Sequence, residues 1–181
     1  MLRRRVSADL GYPVALYNAE SAKPSDWQLL YIDDASKAQA LGYHGLTHNK
    51  QPVATVFVRA AFANNEPISV TASHELFEMV VDPIANLWAE GTKGRQYAYE
   101  LCDPVEEDSF VVDGLQMSNF LHPVWFEPFQ HPLGTKYDHI GLLAKPFTLR
   151  KGGYMIVKDA RFSPAATAID NFVSVRIEWL R

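Results

Sequence analysis

Apolar and polar positions alternate along this chain in short stretches broken by turn residues, and one segment stays apolar around most of a helix. Val53 to Phe62 (VATVFVRAAF) is β-branched and nearly continuous, which predicts a central strand. Pro13 to Asn18 and Trp27 to Ile32 predict shorter strands, and Asp34 to Leu41 a short helix capped by Asp33 or Asp34. The turn Asn64-Asn65-Glu66-Pro67 leads into a helix that ends at Asp82-Pro83, with Pro67 suited to its first turn. Tyr97 to Cys102 alternates as a strand does. Phe110 to Val112 and Leu115 to Phe120 flank Asp113-Gly114, a strong hairpin signal. Phe147 to Arg150 and Tyr154 to Lys158 flank Lys151-Gly152-Gly153 and predict a second hairpin, and Val173 to Leu180 a final strand. Residues His122 to Pro146, rich in Pro and Gly, read as a long ordered loop region. The sum is an α+β fold, a buried helix packed on a mixed, mostly antiparallel sheet.

Composition narrows the class. With 181 residues, 48% of them hydrophobic and 21% charged, the chain predicts one globular domain over residues 1–181. A net charge of -4 argues against a nucleic-acid partner. The strongly basic run Arg3-Arg4-Arg5 reads as an N-terminal arm within residues 1–10. No apolar run approaches the roughly 20 residues that span a bilayer, so no membrane partner is expected. No signal-like apolar segment follows the basic start, and Cys102 is the sole cysteine. These features predict a soluble, unexported protein, cytoplasmic or built into an assembled particle.

The helix carries the candidate chemistry. At about 100° per residue, Thr71, His74, Glu75, Glu78 and Asp82 fall within a sector of roughly 120°. The other positions from Ala72 to Ile84 are apolar or small, among them Leu76, Phe77, Met79, Val80 and Val81. A helix of this kind belongs inside a fold, with its polar stripe on a cleft. His74 and Glu78 are one turn apart and close enough to share one divalent metal ion. Glu75, offset beside them, is placed as general base toward a metal-activated water. The plainer alternative is a solvated acidic face capped by Asp82, with His74 paired to a carboxylate.

A further ligand must come from elsewhere. Glu100 and Asp103, in Tyr99-Glu100-Leu101-Cys102-Asp103-Pro104, are the leading suppliers at the end of a strand, with Asp82 and His139 as alternatives. Cys102 is a soft donor by type, although single cysteines more often pack as hydrophobes. His44 and His48 have helical spacing but lie amid glycines, which argues against a helical pair. Zinc leads as the metal, and a carboxylate-rich set also suits manganese, magnesium or calcium.

Several segments resemble one group of bacterial and phage proteins. They are Ala40-Leu41-Gly42-Tyr43-His44, Thr71 through Pro83, Ala98 through Asp103, and Val112-Asp113-Gly114 with Ser118 through Phe126. That group carries a Ser-His-Glu-Leu-x-Glu-x-x-x-Asp-Pro helix, then Glu-x-Cys-Asp, and looks zincin-like. Plant exordium-type proteins are similar in a related His-Glu-Leu-x-Glu helix. The resemblance implies a metalloprotease-type scaffold, carried over to His74, Glu75, Glu78 and the Glu100/Asp103 strand end. Glu78 stands where ordinary zinc proteases have the second helix histidine, which weakens the preference for zinc.

Three functions follow as expectations. The first is a metal-dependent, peptidase-like hydrolase acting on peptide or protein substrates. The alternative is a non-catalytic phage or prophage structural protein that retains a zincin-like fold and contacts other virion or self subunits. A metal-dependent binding module is a third.

Overall fold

A computed structural model describes residues 14–16, 23–33, 40–159 and 174–179. Strands β1 (Gln28–Ile32), β2 (Gly42–Leu46) and β3 (Pro52–Phe57) form one sheet in the order β1-β3-β2. Within it β1 runs parallel to β3, and β2 antiparallel. Helices α1 (Val58–Ala63) and α2 (Ile68–Val81) follow. Strands β4 (Trp88–Glu90), β5 (Arg95–Ala98), β8 (Tyr154–Asp159) and β9 (Ser174–Trp179) make an antiparallel sheet, and β6 (Ser109–Val112) pairs with β7 (Leu115–Ser118) as a hairpin. The fold is α+β with mixed, mostly antiparallel strands, as the patterning predicts. Those strands are divided among three sheets instead of one. No helix among the described residues is long and apolar enough to cross a membrane.

Why α2 lies inside follows from its circumference. Leu76, Met79 and Val80 pack with Ala54 of β3 on one side. Phe77 instead joins a larger cluster with Leu101, Met117, Phe120, Trp125 and Phe126, its ring 5.1 Å from that of Phe120 in an edge-on arrangement. One helix thus feeds two apolar cores, and its remaining polar stripe faces β2 and the segment after β5. β3 is buried along its whole length because β1 and β2 flank it while α2 covers it.

The departures from the sequence reading have local causes. The apolar run from Val53 does not stay extended to Phe62. β-branched residues end at Val58, and Arg59-Ala60-Ala61-Phe62-Ala63 has the composition of a helix, which is what forms. The strand predicted over Tyr97 to Cys102 leaves its sheet after Ala98. There the ring of Tyr99 stacks on Phe126 at 3.8 Å, and the chain turns toward α2. Of the second predicted hairpin only β8 forms. Residues 147–153 pack over the 3₁₀ turn Asp103–Val105 instead, with the Arg150 amide donating to the Pro104 carbonyl at 2.9 Å. Gly153 lies so close to that carbonyl that a Cβ atom would come within 2.3 Å. Val14 to Leu16 is not a strand. Of the helix predicted over Asp34 to Leu41, Ala40 and Leu41 are not helical and residues 34–39 fall outside the described residues, as do the basic arm and the remainder of the first strand.

Candidate metal centre

Three pieces of chain meet at the polar stripe of α2. The helix presents His74, Glu75 and Glu78, of which Glu75 and Glu78 are buried. The segment that leaves β5 brings Glu100 and Asp103. β2 brings His44, whose side chain is only 6% exposed. Alternation along β2 sets Gly42 and His44 on the same face, and the two act together. The missing side chain at Gly42 admits Glu75, since a Cβ there would come within 2.7 Å of Glu75 Oε1 and 2.8 Å of the Thr55 carbonyl. A methyl group would have to displace the carboxylate.

Two groups of donors result, and they share Glu78. In the first, His74 Nε2 lies 3.2 Å from Asp103 Oδ1 and 3.4 Å from Glu78 Oε1. In the second, His44 Nδ1 lies 3.5 Å from Glu78 Oε2, and His44 Nε2 lies 3.8 Å from Glu100 Oε2. Each group, His74–Glu78–Asp103 and His44–Glu78–Glu100, is compact enough to hold a metal ion. The spacings are informative. N–H···O bonds prefer about 2.7–3.2 Å, whereas tetrahedral donors about 2.0–2.2 Å from a shared ion sit roughly 3.3–3.6 Å from one another. The 3.4 and 3.5 Å contacts of Glu78 fall in that second range, whereas the 3.2 Å contact of His74 with Asp103 is a hydrogen bond and the 3.8 Å contact is wider than either. His44 Nε2 and Glu100 Oε2, moreover, are buried with no hydrogen-bond partner.

Electrostatics describe a site short of positive charge. Burial pushes Glu75 up to about 8, with neighbouring Glu78 and Asp103 adding to the rise while His74 and His44 oppose it. Burial, then the charges of Glu78 and Asp103, push Glu100 up to about 9. Asp103 rises to about 6 by burial and the charge of Glu78, partly offset by its hydrogen bonds with His74 and Tyr154. Burial works against a charged His44, yet Glu78, Glu100 and Glu75 raise it to about 9. His74 is likewise raised, with Glu78, Cys102 and Asp103 overcoming burial. Burial would also neutralise Glu78, but His74 and His44 hold it well below the usual carboxylate range. Without a cation the cluster must retain protons on acids that water would ionise.

The cluster opens on a cleft of about 390 Å³, whose lining includes Gly42, His74, Glu75, Glu106 and Tyr154. Glu78 lies deeper, its Oε1 accepting the Cys102 amide at 3.0 Å. The Cys102 thiol is fully buried, its pKa raised well above normal chiefly by that burial, and it donates weakly to the His74 carbonyl at 3.7 Å. It belongs to neither donor group.

Of the residues singled out in the sequence, His74, Glu75, Glu78, Glu100 and Asp103 converge here. Asp103 does not end a strand, because it opens the 3₁₀ turn that faces His74. Glu100 falls with His44, apart from the His74 group. Asp82 closes α2, and its Oδ2 accepts the Leu87 amide at 2.7 Å. His139 stacks on Phe120 at 4.7 Å, within the aromatic core. The four-residue spacing of His44 and His48 conceals His44, because it invites comparison with a helical pair. Reading Gly42-Tyr43-His44 with a period of two would have pointed it along with Gly42. No protein-family model, curated protein or solved structure matches this chain.

Proposed function

We propose that this protein is a zincin-like, metal-dependent hydrolase that cuts peptide bonds. The observation that carries this reading is the His74–Glu78–Asp103 donor group beside Glu75 on the wall of an open cleft. His74, Glu78 and Asp103 would hold a divalent ion, zinc first, with manganese or calcium as the carboxylate-favoured alternatives. Such an ion supplies Lewis acidity toward a carbonyl oxygen and makes water a nucleophile near neutral pH.

The chain's own residues do the rest. Glu75 takes a proton from the attacking water on a carboxylate oxygen and returns it to the leaving amine. Tyr154 lines the same cleft with its hydroxyl bonded to Asp103, which holds that carboxylate in place, and burial, then the charge of Asp103, keeps the phenol protonated. β2 is an edge strand among the described residues, and its start borders the cleft, so an extended peptide can add to it by backbone pairing. Glu66, Glu75, Glu106 and Glu107 line the cleft without a lysine or arginine among the lining residues, which favours substrates with basic side chains.

The test is hydrolysis of a set of quenched fluorescent peptides by zinc-loaded protein. Glu75→Gln is expected to slow cleavage by about 10²–10⁴-fold while the bound zinc stays constant. Undiminished cleavage by that variant sinks the role of Glu75. Metal-free protein that assembles into rings or particles and cleaves nothing would favour a structural role.

A further inference from the structure

We infer that the centre is dinuclear, with a second divalent ion held by His44, Glu78 and Glu100 and with the Glu78 carboxylate bridging the two ions. The inference rests on the metal-dependent reading above and extends it. Glu78 offers one oxygen to each side. Its Oε1 faces His74 and its Oε2 faces His44. A carboxylate divided in this way can serve one ion through each oxygen, which a single ion would not require.

The second group carries its own indication of a ligand. The His44 side chain is 6% exposed, and its Nε2 has no hydrogen-bond partner. That atom lies 3.8 Å from Glu100 Oε2, which is also unpartnered, while Nδ1 across the ring makes the 3.5 Å contact with Glu78. An ion takes only one of the two nitrogens, and one nitrogen of His44 lies within 4.8 Å of an oxygen of each acid. Two buried polar atoms that face each other beyond hydrogen-bonding range cost stability unless something lies between them. A water needs several polar partners to be held at such a place, whereas a cation needs the donors already present.

Charge leads to the same count. Glu75, Glu78, Glu100 and Asp103 carry four negative charges when ionised, and the two imidazoles are neutral when they ligate a metal. One divalent ion leaves two of those charges buried and uncompensated, which is costly. Two divalent ions balance them. Paired ions of this kind clamp both the attacking and the leaving atoms of a hydrolysis, so the second ion fits the same reaction.

The full chain, stripped with chelator and titrated with zinc alone, tests this by elemental analysis after desalting. Wild type is expected to retain two equivalents, and His44→Gln and Glu100→Gln one each. Manganese-loaded wild type should show an exchange-coupled EPR spectrum that either variant converts to that of an isolated ion. Circular dichroism establishes that each variant is folded, and if one is not, the other supplies the same count. One equivalent in wild type, unaffected by His44→Gln and Glu100→Gln, overturns the second ion and leaves the first. A single equivalent lost in both His44→Gln and His74→Ala means one shared ion and also overturns the pair. Two equivalents with full peptide cleavage by Glu75→Gln keep the dinuclear centre and sink only the hydrolytic role of Glu75.

Discussion

Asp138 and Glu78 are both carboxylates shut away from solvent, yet their surroundings differ in kind. Asp138 is saturated. It accepts from the Leu143 amide at 2.7 Å, the Gly141 amide at 3.0 Å, the Leu142 amide at 3.1 Å and Asn119 Nδ2 at 2.9 Å. Asn119 is consumed as well, its Oδ1 taking the Phe120 amide at 2.9 Å. Glu78 has one backbone amide, and its other neighbours are imidazoles at 3.4 and 3.5 Å among further carboxylates. The first cluster satisfies a buried charge with short bonds to fixed backbone dipoles and ties the long loop to the core. The second gathers like charges around gaps wider than hydrogen bonds. A buried polar cluster that is fully paired is a structural knot, and one that is underpaired and negative is a seat for a cation.

The largest expected effect tests the structural half of that contrast. Asp138→Asn replaces an acceptor of four bonds with an amide whose N–H₂ must face backbone donors. The loss should be about 3–5 kcal/mol in urea unfolding of the zinc-loaded protein. The zinc content of the folded variant should not change. A cost below about 1 kcal/mol would mean that the network is dispensable, and the contrast would then be lost.

Much of this was legible in the sequence, for reasons that are local. The apolar circumference of α2 and its polar stripe follow from periodicity within one helix, and the hairpin follows from Asp113-Gly114, where Asp113 adopts a φ of 52° and Gly114 of 81°. His44 was not legible in the same way. It reaches Glu78 only through the antiparallel register that sets His44 opposite Ala54 of β3 and through the packing of α2 over that sheet. The division of Glu100 and Asp103 between two histidines was hidden too, because it depends on the chain leaving its sheet after Ala98. The helix Val58–Ala63 is hidden by a run of apolar letters whose composition, not hydrophobicity, changes at Arg59.

The next effect in size is the response of the second cluster to pH. Glu75, Glu100 and Asp103 have folded pKa values of about 8, 9 and 6, all above those of the unfolded chain, and His44 is raised to about 9. Between the unfolded values and these, the folded metal-free protein binds more protons than the unfolded one. Its stability therefore falls as pH rises from about 4.5 to 9. Glu78 has the opposite sign, and the stability it contributes is lost progressively as pH falls below about 4.5. Zinc displaces the same protons, so the stabilisation it gives should grow across that window. At a hundred times its Kd the ion adds about 2.7 kcal/mol, or roughly 5–11 °C in Tm for a chain of this size. A zinc-induced shift that is flat between pH 5 and 9 would show that these groups are not its ligands.

The smallest effect is the most discriminating, because it reverses the sign of the first. Glu100→Gln makes the same exchange of carboxylate for amide as Asp138→Asn, but it removes an acid that the metal-free fold holds protonated for want of a partner to its charge. In metal-free protein Glu100 must keep a proton that the unfolded chain releases, and that cost rises from about pH 4.5 to its folded value of about 9. Glutamine is neutral in both states and carries no such cost. The variant should therefore be more stable than wild type at pH 8 by on the order of 1 kcal/mol, roughly 2–4 °C in Tm, and indistinguishable near pH 4.5. Saturating zinc should invert the ranking, since wild type gains a ligand that the variant has lost. Differential scanning calorimetry at the two pH values, with and without zinc, reads all four states. A variant less stable than wild type in metal-free protein at pH 8 would put Glu100 with Asp138, as a charge the fold uses for itself.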